Sequence, residues 1–107
     1  MQQITPVSME ADVPLLTRLG EEARKILKDA LEGNADSRAV ARSKFRETLI
    51  TLDSRAPQTF HEAVIRLAGE VVPFFETLDS DPAKARELHA PLDRQLQDLL
   101  KDIEKLK

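Results

Sequence analysis

The chain has 107 residues, a usual size for one domain and enough to bury a hydrophobic core without disulfide staples. It contains no cysteine, which excludes a disulfide framework, a thiolate metal site and a cysteine nucleophile. Although 33% of the residues are charged, the formal net charge is only -3, and nucleic-acid binding needs clustered basic residues, so we expect no nucleic-acid partner.

The N-terminal segment shows no helical period and contains Pro6. We predict a flexible N-terminal arm over residues 1–11 and a single helical-bundle domain over residues 12–107. The arm lacks the basic stretch and the continuous apolar core of a signal peptide. No run of about twenty apolar residues occurs in the chain. The sequence therefore predicts a cytoplasmic protein that does not contact a membrane.

Helix one is predicted from a capping residue followed by apolar residues at the three-and-four spacing of a helix face. Asp12 is a suitable N-cap, Pro14 suits the first turn, and Gly33 fits the position just after the last turn. The predicted buried face contains Leu16, Leu19, Ala23, Ile26 and Ala30.

Helix two is predicted to begin at the capping oxygens of Asn34, Asp36 and Ser37 and to run to about Ser54, before Pro57. Its predicted inward residues are Ala41, Phe45, Leu49 and Leu52. Arg38, Arg42 and Arg46 follow at four-residue spacing and form a basic stripe on this helix. The stripe is a candidate site for an anion or an acidic partner, and the alternative is a solvated face that makes weak interhelical ion pairs.

Helix three is predicted to begin at a capping box of Thr59 and Glu62 and to end near Asp79. It carries two apolar seams side by side. The first seam contains Phe60, Val64, Leu67, Val71, Phe74 and Leu78; the second seam contains Ile65, Ala68, Val72 and Phe75. Because each helix of a bundle touches two neighbours, the second seam can be internal. If it is exposed, Ile65, Val72 and Phe75 are candidate partner-binding residues.

Helix four is predicted to begin at Pro82, after the capping oxygens of residues 79–81, and to continue to the C-terminus. Its heptad contains Leu92, Leu96, Leu99, Ile103 and Leu106. Such a helix exceeds its neighbours by roughly 8 Å, so Ile103 and Leu106 are predicted to overhang the bundle. Either the N-terminal arm or a second subunit would cover them, which makes both residues candidate partner contacts.

Four helices joined by short loops predict an all-α fold, an antiparallel up-down four-helix bundle. Pro73 and Pro91 lie inside helices three and four, which we expect to be bent there. The alternatives are a break at Pro91, which would give five helices, and a gap that accepts a ligand.

Catalytic and metal-binding patterns are not found in the sequence. Gln58 and Arg86 stand where a di-iron bundle would need glutamates before His61 and His89, and the two histidines are predicted to lie roughly 16 Å apart along the bundle. A histidine phosphotransfer domain carries Lys and Gly soon after its histidine, whereas Glu62 follows His61 here. We therefore predict no enzymatic activity, no cofactor and no metal.

The function that best fits these features is a small acidic protein-protein interaction module, such as an adaptor, regulator, inhibitor or chaperone-like bundle, that presents an apolar helical face. Its predicted partner is another protein or a second copy of the chain, as in a homodimer. The alternatives are a small-ligand carrier and a phosphotransfer-type bundle.

Overall fold

The computed structural model describes residues 12–33 and 35–106, and every regular element in these ranges is helical. The four α-helices are α1 (Val13–Glu32), α2 (Ala35–Arg55), α3 (His61–Ser80) and α4 (Pro82–Glu104), and a 3-10 turn, Gln58–Phe60, precedes α3. They form a compact antiparallel four-helix bundle, which confirms the predicted fold class. The predicted N-terminal arm and the predicted cap Asn34 lie outside the described residues.

The N-terminal caps of α1 and α4 were predicted correctly. The Asp12 carboxylate accepts a hydrogen bond from the Leu15 backbone N–H at 3.1 Å, and Asp81 accepts one from the Lys84 N–H at 3.2 Å. A proline in the first turn accompanies each cap, where its missing N–H costs nothing. These two short sequences therefore fix where α1 and α4 begin.

The predicted capping box at the start of α3 is wrong. Thr59 lies inside the 3-10 turn, and no side chain among the described residues caps α3. Phe60 is buried, and its backbone N–H donates to the Pro57 carbonyl at 2.9 Å. Because burial of Phe60 favours this tighter turn, α3 begins at His61 instead of Thr59.

Neither internal proline ends its helix. The α3 helix continues through Pro73 and α4 continues through Pro91, which excludes the five-helix alternative. Each proline deprives the carbonyl four residues earlier, at Gly69 or Glu87, of its helical partner. All four of these residues are exposed, so water can reach those carbonyl groups.

The end of α4 differs from the prediction, because Ile103 is completely buried. The α1 and α4 helices run antiparallel, and Leu100 lies directly against Gly20. Three residues further along α4, Ile103 reaches the first turns of α1 and joins the core there. The predicted overhang therefore does not occur at Ile103; Leu106, which follows the end of α4, is 36% exposed.

A bidentate ion pair connects α1 to α4 beside the core. The Arg24 guanidinium donates from Nε to Asp93 Oδ1 at 2.8 Å and from Nη2 to Oδ2 at 3.1 Å, and Gln97 donates to Oδ2 at 2.7 Å. The hydrogen bonds from Arg24 lower the pKa of Asp93 below its usual value, with help from Gln97, although partial burial opposes the shift. Asp93 is therefore more acidic in the folded protein than in the unfolded chain.

This shift predicts a measurable acid sensitivity. Because the folded-state pKa of Asp93 is depressed, the stabilisation is present above the ordinary pKa of 3.8 and is lost as the pH falls towards the folded-state pKa. We expect Asp93→Asn to lose about 1 kcal/mol of unfolding free energy at pH 6 and much less than that at pH 3. Urea titrations at both pH values measure the difference. Asp102→Asn, at an exposed carboxylate 3.6 Å from Lys105, is the control; the same pH dependence for both variants would contradict the prediction.

Three edges of the bundle are closely packed and the fourth is not. The α1–α2, α1–α4 and α3–α4 pairs pack along their lengths, whereas α2 and α3 touch each other much less. The two helices follow each other in the chain and run antiparallel, so their separation leaves an opening along the side of the bundle. This opening is larger than a second cavity, of about 190 Å³, that lies between α3 and α4.

Candidate functional site

The opening between α2 and α3 is a groove of about 880 Å³, which we call the α2–α3 groove. Its floor is apolar and buried, its rim contains small residues and large apolar residues, and charged residues stand along one side and at the two ends. The floor consists of Phe45, Leu49, Val64, Val71 and Phe75; the rim of Ala39, Ser43, Ile50, Ile65, Ala68 and Val72; the charged residues are Arg38, Arg42, Arg46, Asp53 and Asp79.

The floor is built around aromatic contacts. The rings of Phe45 and Phe75 meet edge to face with centroids 6.2 Å apart, and Phe75 makes a second such contact with Phe74 at 5.2 Å. Edge-to-face geometry places the positive edge of one ring against the negative face of another, which is favourable beyond simple burial. Phe45 therefore connects α2 to α3 at the bottom of the groove, although the helices are separated above it.

Polar contacts connect α2 to α3 at both ends of the groove. At one end the Arg38 guanidinium binds Asp79 through Nη1 and donates from Nε to the Ala30 carbonyl at 3.2 Å. At the other end His61 Nδ1 lies 2.9 Å from an oxygen of Asp53. Arg38 and Asp53 are fifteen positions apart on α2, so the groove is about 22 Å long.

The second seam is divided between the rim and the floor. Ile65 is 55% exposed and Val72 37% exposed, whereas Phe75 is 8% exposed. The reason is helical geometry: Phe75 projects about 60° around α3 from Val72, towards the buried first seam. The prediction left open whether this seam is internal or exposed, and the described structure contains both situations along one groove.

The basic stripe lines the same groove from the α2 side. Arg38 is mostly buried and paired with Asp79, as the interhelical alternative predicted. Arg42 and Arg46 are exposed, and neither makes a hydrogen bond or an ion pair with another residue of the described ranges. Two sets of residues predicted separately, the second seam and the basic stripe, thus meet at one site.

Sequence reasoning missed one prominent rim residue and selected two residues that lie elsewhere. Ile50 is 59% exposed and continues the line of Arg42 and Arg46 by one further turn, a spacing that could have revealed it. Ile103 and Leu106 do not line the groove, and Ile103 has no exposed surface with which to bind a partner.

The two histidines have different environments. His61 is half exposed and contacts Asp53 as described above. His89 lies against the Phe74 ring, with ring centroids 6.0 Å apart, and its Nε2 atom is buried without a hydrogen-bond partner among the described residues. Within residues 12–33 and 35–106, no three His, Asp or Glu side chains come together in a way that could hold a metal ion.

Comparison of the chain with known protein families, with curated proteins and with solved structures finds no match. No helix in the described part of the chain is both long and apolar enough to cross a membrane.

Proposed function

We propose that the protein is a small protein-protein interaction module whose α2–α3 groove binds one helix of a partner protein. The observation that carries this proposal is an apolar floor in a groove about 22 Å long, which is open along one side of an otherwise closely packed bundle. An α-helix of about fifteen residues has this length. Binding of an amphipathic helix through its apolar face is a common mode of recognition.

The exposed rim supports this proposal. Ile50, Ile65 and Val72 lie on both sides of the floor, so a helix seated in the groove would remove all three from water. Each large aliphatic side chain that becomes fully buried contributes roughly 1.5–3 kcal/mol, and these three are only partly buried before binding. A single inserted helix would thus contact the floor and both rims at once.

A small-ligand carrier is supported less well. The groove volume is within the range of ligand pockets, but such pockets surround most of the ligand, whereas this groove is open along its length. Pro73 and Pro91, at which the sequence suggested a ligand gap, do not line it. The absence of enzymatic activity and the cytoplasmic location stay predictions from the sequence.

A designed peptide tests the proposal. The probe is an amphipathic helix of about sixteen residues with leucines on one face and only uncharged polar residues on the other, and its affinity is measured by fluorescence anisotropy. We expect Ile65→Asp to weaken binding at least tenfold, because the carboxylate would lose water without gaining a partner.

Val40→Asp is the matched control, because Val40 is 56% exposed, like Ile65, but lies on α2 outside the groove. Its affinity for the peptide should stay within twofold of the wild-type value. Equal weakening by both substitutions, or no binding of the peptide at millimolar concentration, would contradict the proposed function. A peptide of the same composition with its leucines scattered around the helix should not bind.

A further inference from the structure

We propose that the helix bound in the α2–α3 groove is acidic along one flank and carries two carboxylates one turn apart that pair with Arg42 and Arg46. This inference rests on the proposed function and identifies the chemistry of the partner. It follows from the positions of the charges around the groove, from the composition of its two walls, and from the surfaces that the chain itself can offer.

The α2 wall supplies two available cations at a defined spacing. Arg42 and Arg46 are four residues apart, so their α-carbons are about 6 Å apart along the helix axis. Asp79 already occupies Arg38, whereas the other two guanidinium groups have no partner among the described residues. A guanidinium group binds a carboxylate through two parallel hydrogen bonds, so this pair suits carboxylates at positions i and i+4 or i+3 of a facing helix.

The α3 wall is different in character. The floor and rim residues that α3 contributes are all apolar: Val64, Ile65, Ala68, Val71, Val72 and Phe75. The one charged residue of α3 that lines the groove is Asp79, at its end. Negative charge on the bound helix is therefore favourable on the flank that faces α2, where it meets Arg42 and Arg46. Charge of either sign is unfavourable on the flank that faces the apolar residues of α3. The groove thus selects a helix whose apolar face is bordered by acid on one side only.

Within residues 12–33 and 35–106, a second copy of the chain offers no helix that fits this requirement. Its helices turn their apolar rows towards their own core, and the large apolar residues exposed in the described ranges are Val40, Ile50, Ile65, Val72 and Leu106. Of these five, Val40 and Leu106 lie outside the groove, Val40 on α2 and Leu106 after the end of α4. The described helices therefore expose no row of large apolar residues that could insert into the groove of another copy. The complementary occupant is a helix from a different protein.

Three versions of the designed helix test the inference. They share the leucine face and differ at two positions, one turn apart on one flank, which are both glutamate, both glutamine or both lysine. At about 20 mM salt the wild-type protein should bind the glutamate peptide about tenfold more tightly than the lysine peptide. The difference should shrink at about 300 mM salt, because these charges lie at the exposed rim.

Substitutions in the basic stripe test whether Arg42 and Arg46 cause the preference for the glutamate peptide. Arg42→Gln with Arg46→Gln should abolish the preference, and Arg42→Glu with Arg46→Glu should reverse it in favour of the lysine peptide. Arg18→Glu with Lys28→Glu is the control, because it makes the same change in net charge at exposed α1 positions outside the groove. This control should preserve the preference for glutamate.

The outcomes separate the two proposals. If the three peptides bind the wild-type protein equally, or if the α1 control also reverses the preference, the acidic-partner inference is wrong while the proposed function stands. If none of the three binds, the proposed function itself is wrong. A wild-type dimer in light scattering that the Ile65→Asp variant dissociates would assign the groove to a second copy and overturn the inference.

Discussion

Replacement of Phe45 by Ala is expected to lower the free energy of unfolding by about 3–5 kcal/mol, because the ring is 1% exposed and its removal leaves a cavity. A domain of this size has roughly 5–15 kcal/mol of stability in total. Phe45 also makes the edge-to-face contact with Phe75, which connects α2 to α3 at the groove floor. The variant should therefore lose a large fraction of its stability.

Urea unfolding followed by circular dichroism measures this loss, and Ile50→Ala is the control. Ile50 is on the same helix but 59% exposed, so its truncation should change the unfolding free energy by no more than about 0.5 kcal/mol. Similar losses for the two variants would mean that the α2 residues are not divided into floor and rim as described.

Aspartate substitutions at two positions of the second seam are expected to have opposite outcomes. Phe75→Asp places a carboxylate in the buried floor and removes an aromatic ring, so we expect a loss above 4 kcal/mol and a largely unfolded protein. Val72→Asp, three residues earlier on α3, places the carboxylate at the exposed rim, where water can solvate it. We expect that variant to lose no more than about 1 kcal/mol.

Circular dichroism and urea titration of both variants provide the comparison. The folded Val72→Asp protein should also bind the uncharged designed helix at least tenfold more weakly than the wild-type protein does, because Val72 lines the rim. An unfolded Val72→Asp variant would show that Val72 belongs to the core. A stable Phe75→Asp variant would show that the floor is accessible to water.

Most of the fold could be predicted from local sequence patterns. Asp12 with Pro14, and Asp81 with Pro82, mark helix starts because their capping chemistry acts within one turn. Thr59 misled the prediction because a capping box depends on side-chain hydrogen bonds, whereas burial of Phe60 decides the turn conformation. That burial depends on tertiary contacts, which the local pattern does not contain.

The groove could be predicted only in parts. Helical periodicity shows which residues share a face, so the second seam and the basic stripe were both identified from spacing. Helical periodicity gives no information about the distance between two helices. The separation of α2 from α3 is what places the basic stripe and the second seam along the same groove. The burial of Ile103 was missed for a related reason, because it depends on the register between α1 and α4.

The most direct test of the proposal that the α2–α3 groove binds a helix is an NMR titration of isotope-labelled protein with the uncharged designed helix. We predict that the largest amide shifts occur at Ser43 and Ile50 on α2 and at Ile65, Ala68 and Val72 on α3, and that amides on the outer face of α1, such as Lys28, do not change. Saturable shifts centred on α1 or α4, or no saturable shifts at all, would contradict the assignment of the groove as the binding site.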